Sequence, residues 1–305
     1  MVSGFLERHK LVCIAAFLAL SGLLVGCFPP ADMGGPFGIP HFPTPSADAA
    51  VYYTRGMHRH ASAEYQQAIA DYTEAIRIDD TYGAAYLDRG SAYAMLGQWD
   101  GAVADFTRVV EIDPQYAGGY YERAFAYTNL GRYDEAIADW TEVLRINPDF
   151  ADAFYYRGAL YSQLGSFEAA ISDYSKAIEL QQDYRGVHRS RGYAYYQLGE
   201  YDKALADYTE AIRIDPTDSQ AYNGRGGVRA DLGQYEEAIA DYTEAIGIDQ
   251  GYGFAYYNRA SAYYALGEYP SALEDLTQTL ALQPDFADAY FYRGFTHCLM
   301  GHYNE

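Results

Sequence analysis

One arginine sets the frame of this sequence. Arg89 recurs as Arg123, Arg157, Arg191, Arg225 and Arg259, and Arg55 and Arg293 extend the series, always 34 residues apart with no insertion. A unit of that length cannot bury its own apolar face, so its copies must stack on one another. In the copy from Gly83 to Tyr116, Ala85, Gly90 and Ala102 are small where two helices would touch. Tyr86, Tyr93, Leu96, Trp99, Val103, Phe106 and Val110 recur at three- and four-residue steps on either side of Leu96-Gly97. The spacing predicts two amphipathic helices per copy, with Gly97 near the end of the first and Pro114 stopping the second.

These residues resemble the tetratricopeptide repeat. That family places an aromatic, a small residue four on, then Tyr, Ala, an aromatic, Ala and Pro at fixed offsets. Tyr86, Gly90, Tyr93, Ala102, Phe106 and Pro114 match, with Val109 in place of the last Ala; Tyr120, Ala124, Tyr127, Ala136, Trp140 and Pro148 match in the next copy. One departure is systematic: Arg stands where the family commonly has Leu. The resemblance implies an all-α fold, a right-handed α-solenoid superhelix over residues 49–305, with seven hairpins and a terminal helix. The first copy is degenerate, with Ser62-Ala63 replacing Leu-Gly, as expected of a terminal repeat.

Each Arg is followed 16 residues later by an Asp: Asp71, Asp105, Asp139, Asp173, Asp207, Asp241 and Asp275. Partly buried charges normally occur in pairs, so these predict bridges that set register rather than a ligand-reading ladder. Because the family tolerates Leu at the arginine, Arg157→Leu is expected to cost little and loss of Asp173 to hurt.

Ahead of the repeats, residues 1–27 read as an export signal: Arg8, His9 and Lys10, an apolar run from Leu11 to Leu24, then Val25-Gly26-Cys27. The run is short for a membrane span. Cys27 resembles the lipobox cysteine of bacterial lipoproteins, which is acylated and becomes the new N-terminus. Residues 28–48 are rich in proline and glycine and read as an extended tether. The expectation is an exported, membrane-anchored envelope lipoprotein, in the outer membrane if the organism has one.

Composition narrows the function. With 21 Lys+Arg against 42 Asp+Glu the chain is a poor partner for nucleic acid. Cys298 is the one cysteine left in the body, so no internal disulfide or thiol-built metal site is expected. His58 and His60 lie on different helix faces, and His297, Cys298 and His302 lack a fourth ligand. No phosphate loop or catalytic triad stands apart from the repeat. No cofactor is implied, and the chain reads as a non-catalytic scaffold.

The sequence holds 34 tyrosines and two tryptophans. Tyr86, Tyr120, Tyr222, Tyr256 and Tyr290, with Tyr133, Tyr201 and Tyr235, occupy family core positions. Tyr53, Tyr121, Tyr155, Tyr193, Tyr196, Tyr257 and Tyr264 fall at first-helix positions that in the family face the concave groove, together with Arg189 and Asn223. The expected site is an exposed tyrosine surface centred on Arg189, Tyr193, Tyr196, Asn223 and Tyr257, holding a peptide or protein whose carboxylate meets Arg189. The chaperone-tail clamp of the family is disfavoured, because its Lys and Asn are missing from the groove. A carbohydrate-binding groove, or a non-catalytic subunit of an enzyme complex, is the alternative.

Overall fold

In a computed structural model the described residues are 37–301, apart from 182, 184 and 185. Among them are fifteen helices and no strand. The chain divides between Leu160 and Tyr161 into two compact units. In the first lie α1 (Ala47–Ala61), α2 (Tyr65–Ile78), α3 (Gly83–Met95), α4 (Trp99–Ile112), α5 (Ala117–Asn129), α6 (Tyr133–Ile146) and most of α7 (Ala151–Gln163). The second holds α8 (Phe167–Leu180), α9 (Val187–Gln197), α10 (Tyr201–Ile214), α11 (Ser219–Asp231), α12 (Tyr235–Ile248), α13 (Gly253–Leu266), α14 (Tyr269–Leu282) and α15 (Ala287–Leu299). Within each unit consecutive helices pair as hairpins, and each hairpin packs on the next.

Every hairpin turns on the same device. At the end of α3, Gly97 takes φ +70°, its N–H donates to Ala94 O and the Gln98 N–H donates to Tyr93 O. A left-handed residue after a helix is easiest for glycine, and Gly131, Gly165, Gly199, Gly233 and Gly267 repeat it. The degenerate first copy keeps the geometry without the glycine, since Ala63 holds φ 59°. Between the helices of one hairpin, the second helix supplies a large ring and the first makes room. Phe106 is fully buried, and a Cβ on Gly90 would fall 2.6 Å from its ring.

The arginine series joins two repeats at once. Arg89 donates Nε and Nη2 to the two oxygens of Asp105 at 2.8 and 2.7 Å, and Nη1 to Thr73 Oγ1 of the preceding hairpin at 2.9 Å. Arg123, Arg191, Arg225 and Arg259 repeat both contacts, with Thr107, Ser175, Thr209 and Thr243 as the backward acceptors. The guanidinium is also sandwiched near Tyr86 and Tyr93, at 5.6 and 5.9 Å from the ring centres. Arg therefore replaces Leu because it reaches three partners from one position.

The carboxylate is the buried member of each such pair. Asp105 is 4% exposed, against 15% for the Arg89 side chain. Burial pushes the Asp105 carboxyl up, and the Arg89 hydrogen bonds and charge pull it back. This reverses the expected order of costs: removing the arginine strands a buried acid, whereas a released guanidinium can still reach water. Arg89→Leu should lower stability by about 3 kcal/mol, and adding Asp105→Ala should recover more than half of the loss. Urea unfolding followed by circular dichroism measures both.

Candidate functional site

The groove of the first unit is already holding a peptide, its own residues 37–46. This proline-rich stretch has neither helix nor strand and lies against the repeats. Phe37 and Phe42 are five residues apart. The Phe37 ring meets Tyr121 at 4.8 Å and Phe150 at 5.1 Å; the Phe42 ring meets Tyr116 at 5.8 Å. Gly83, the first residue of α3, makes the slot for Phe42, because a Cβ there would overlap the ring. Two backbone amides, also five apart, fix the chain: His41 N–H donates to Asp113 Oδ2 at 2.7 Å and Ser46 N–H to Asp79 Oδ2 at 3.1 Å.

Asp79 and Asp113 hold the same place in successive repeats, the residue after the second helix. Each spends Oδ1 on its own turn, taking the N–H of Thr81 or Gln115, and offers Oδ2 outward. The Thr81 hydroxyl holds the Asp79 carboxyl below its usual range, and the Ser46 amide adds to that. The seated chain, which turns at Gly38 with φ +74°, is thus read at five residues per repeat, by one amide and one aromatic ring.

The expected tyrosine surface is largely interior. Tyr193, Tyr196, Tyr257 and Asn223 are 8, 4, 3 and 7% exposed, so they are not a groove lining. The physical reason is a contact that advances one repeat plus one residue. Tyr196 donates its hydroxyl to Asp231 Oδ2 at 2.8 Å, and Asn258 Nδ2 donates to Asn223 Oδ1 at 3.0 Å, both 35 residues apart. Tyr257 meets Tyr292 at 6.1 Å by the same step, and Tyr53 hydrogen-bonds Asp88. These first-helix side chains face the next first helix. Arg189 is likewise no open charge, since Nη1 bonds Asp218 at 2.9 Å. Tyr53, Tyr121, Tyr155 and Tyr264 are partly buried; Tyr155 packs on Tyr156 at 5.4 Å and Tyr264 on Tyr269 at 5.6 Å. Of the nine, Tyr121 touches the seated segment, through its ring contact with Phe37. Conversely Tyr120, Tyr201, Tyr222, Tyr235 and Tyr256, expected in the core, are only partly buried, and Tyr290 is 48% exposed.

Two acids stand in this series. Burial pushes Asp88 up to about 6, with the Tyr53 hydrogen bond opposing it. Glu122 follows Leu87 by 35 residues, and leucine offers no donor; its Oε2 is buried with no hydrogen-bond partner among the described residues. Burial pushes this carboxyl up to about 8. Tyr116, the ring on which Phe42 packs, is the neighbour of both acids.

Elsewhere the chemistry is occupied. In the second unit a cleft of about 600 Å³ is lined by Tyr256, Arg259, Asp275, Thr277 and His297, where Arg259 is tied to Asp275. Among the described residues no three possible metal ligands gather. Cys27 and His302 lie outside the described residues. Sequence reasoning missed Phe37, Phe42, Gly83, Asp79 and Asp113. The available signal was two phenylalanines five apart in a stretch otherwise suited to solvent.

A family profile described as TPR repeat matches residues 90–131, 126–165, 160–199, 192–233, 226–267 and 260–301. No curated protein matches the chain in sequence. Among solved structures, a tetratricopeptide repeat protein from Parabacteroides merdae is 20% identical over 82% of this chain and 99% of its own, with a TM-score of 0.62. MamA is 26% identical over 55% of this chain and 92% of its own, TM-score 0.53. YrrB, described as a TPR protein with an unusual peptide-binding site, is 23% identical over 62% of this chain and 97% of its own, with a TM-score of 0.51.

Two stability measurements check the site. Tyr196→Ala should lower the melting temperature more than Tyr201→Ala, because it removes a ring that is 4% exposed whereas Tyr201 is only partly buried; the opposite order would return Tyr196 to the surface. For Glu122, the folded protein keeps a proton that the unfolded chain, with an ordinary value of 4.5, releases. Stability should therefore fall as pH rises from about 4.5 to about 8, by up to about 1.4 kcal/mol per pH unit, and level off above. Glu122→Gln should flatten that slope in urea titrations at pH 5, 6.5 and 8 and stabilise the protein most at pH 8.

Proposed function

The chain belongs to the tetratricopeptide repeat family, and from that premise we propose that it is a non-catalytic scaffold that holds an extended peptide or protein segment while tethered to a bacterial envelope membrane through lipid on Cys27. The observation that carries the binding half is the seat of residues 37–46. A surface that takes backbone amides on Asp79 and Asp113 and rings at Gly83 and Tyr121 has the parts a peptide needs. The fold is shared with YrrB, a TPR protein described as having a peptide-binding site.

The non-catalytic reading rests on the carboxylates. They recur every 34 residues and are spent on Arg and turn N–H groups, which is structural work repeated along the chain rather than one reacting centre. The tether half rests on Leu24-Val25-Gly26-Cys27 and the proline-rich residues after it. No helix among the described residues is long and apolar enough to cross a membrane. An acyl chain with a second attachment would then supply the anchor. With residues 37–46 docked, Cys27 is joined to the groove by at most about 36 Å of chain. Such an adaptor presents its partner near the membrane.

Expression in a bacterial host with a labelled fatty acid tests the tether. Wild-type chain should incorporate label and sediment with membranes, and Cys27→Ala should do neither. Unchanged sedimentation of Cys27→Ala would remove the lipoprotein reading and leave the scaffold.

A further inference from the structure

Residues 37–46 are seated as a ligand would be. Along this segment Phe37, Pro40, Phe42 and Pro45 are partly covered by the repeats, while Gly38, Ile39, His41, Pro43, Thr44 and Ser46 are exposed. A tether with no role in the groove would have no need of either ring. The contacts repeat with the scaffold: one carboxylate and one ring slot per 34-residue unit, met every five residues of the seated chain. That coincidence of two periods defines a recognition pattern. The prolines restrict the unbound segment, so little conformational entropy is lost when it docks. Because the segment continues directly into α1, it competes at the high effective concentration of a short linker, and it does so in every molecule.

We propose that Phe37–Ser46 is a resident ligand of its own groove, and that the partner taken in its place is an extended peptide with two aromatic residues five apart and prolines between or beside them. This rests on the peptide-binding reading above and adds its specificity and its control. Gly83 makes the pattern selective, because the Phe42 slot exists only while that residue lacks a Cβ. Phe150 and Tyr121 form the second slot, and Asp79 and Asp113 take backbone amides that any non-proline residue supplies. A partner must displace the resident segment, so binding and lengthening of the tether occur together.

The test uses full-length protein and a fluorescent synthetic peptide of residues 36–46, titrated by anisotropy. Phe37→Ala/Phe42→Ala, which vacates the groove, should bind the peptide at least tenfold more tightly than wild type. Adding Gly83→Val should abolish that gain, and a peptide with alanine at both phenylalanines should not bind. Equal affinity for wild type and the double variant, or no binding to a double variant that keeps its helical circular dichroism, overturns the proposal. Should the double variant unfold, wild type carrying fluorophenylalanine at 42 decides: excess unlabelled peptide should move its fluorine signal to the position of a solvated ring, and an unmoved signal overturns the proposal. Capture of another protein by the second unit would leave the scaffold reading standing even then.

Discussion

The structure depends on a guanidinium that is bonded in two directions. Arg89 grips Asp105 within its own hairpin and Thr73 in the one before, and the same triad recurs along the chain. Apolar packing brings hairpins together but tolerates sliding, since rings and methyl groups have no required partner. A bidentate carboxylate with a fixed hydroxyl behind it does not tolerate sliding, because a slip of one turn leaves Asp105 buried and unpaired. The arginines thus convert a loose stack into one with a fixed spacing. Everything that reads that spacing, including the seated segment, inherits its accuracy.

A second rule follows from the first. With hairpins in register, a first-helix residue meets the residue 35 positions later, as in Tyr196 with Asp231 and Asn223 with Asn258. This step buries much of the polar and aromatic character that the sequence places on the first helices. It also accounts for Glu122, whose place in the series is opposite Leu87 and which burial keeps protonated near neutral pH. What remains for a ligand is the turn after each second helix and the start of each first helix, where Asp79, Asp113 and Gly83 lie.

The period, the hairpins, the turn glycines and the Arg–Asp pairing were legible because each depends on spacing within about one repeat. The facing of Tyr193, Tyr196 and Tyr257 was not. Helical periodicity gives the angle of a side chain about its own axis, but not how closely the neighbouring first helix approaches that side. Resemblance placed them in the groove, and the neighbour covers them. Arg189 failed for a related reason, since its partner Asp218 is 29 residues away and outside the repeating series. Phe37 and Phe42 were hidden by composition: proline and glycine identify an extended chain but say nothing of whether it lies in solvent or on a surface.

The claim that the groove holds its own chain is tested most directly by amide hydrogen exchange at His41 and Ser46 in the full-length protein. These N–H groups point at Asp113 and Asp79. Both should exchange at least tenfold more slowly than the unstructured-chain rate, and the protection should vanish in Phe37→Ala/Phe42→Ala. Exchange of both amides at the unstructured rate in wild type would contradict the account, and the segment would then be a tether and nothing more.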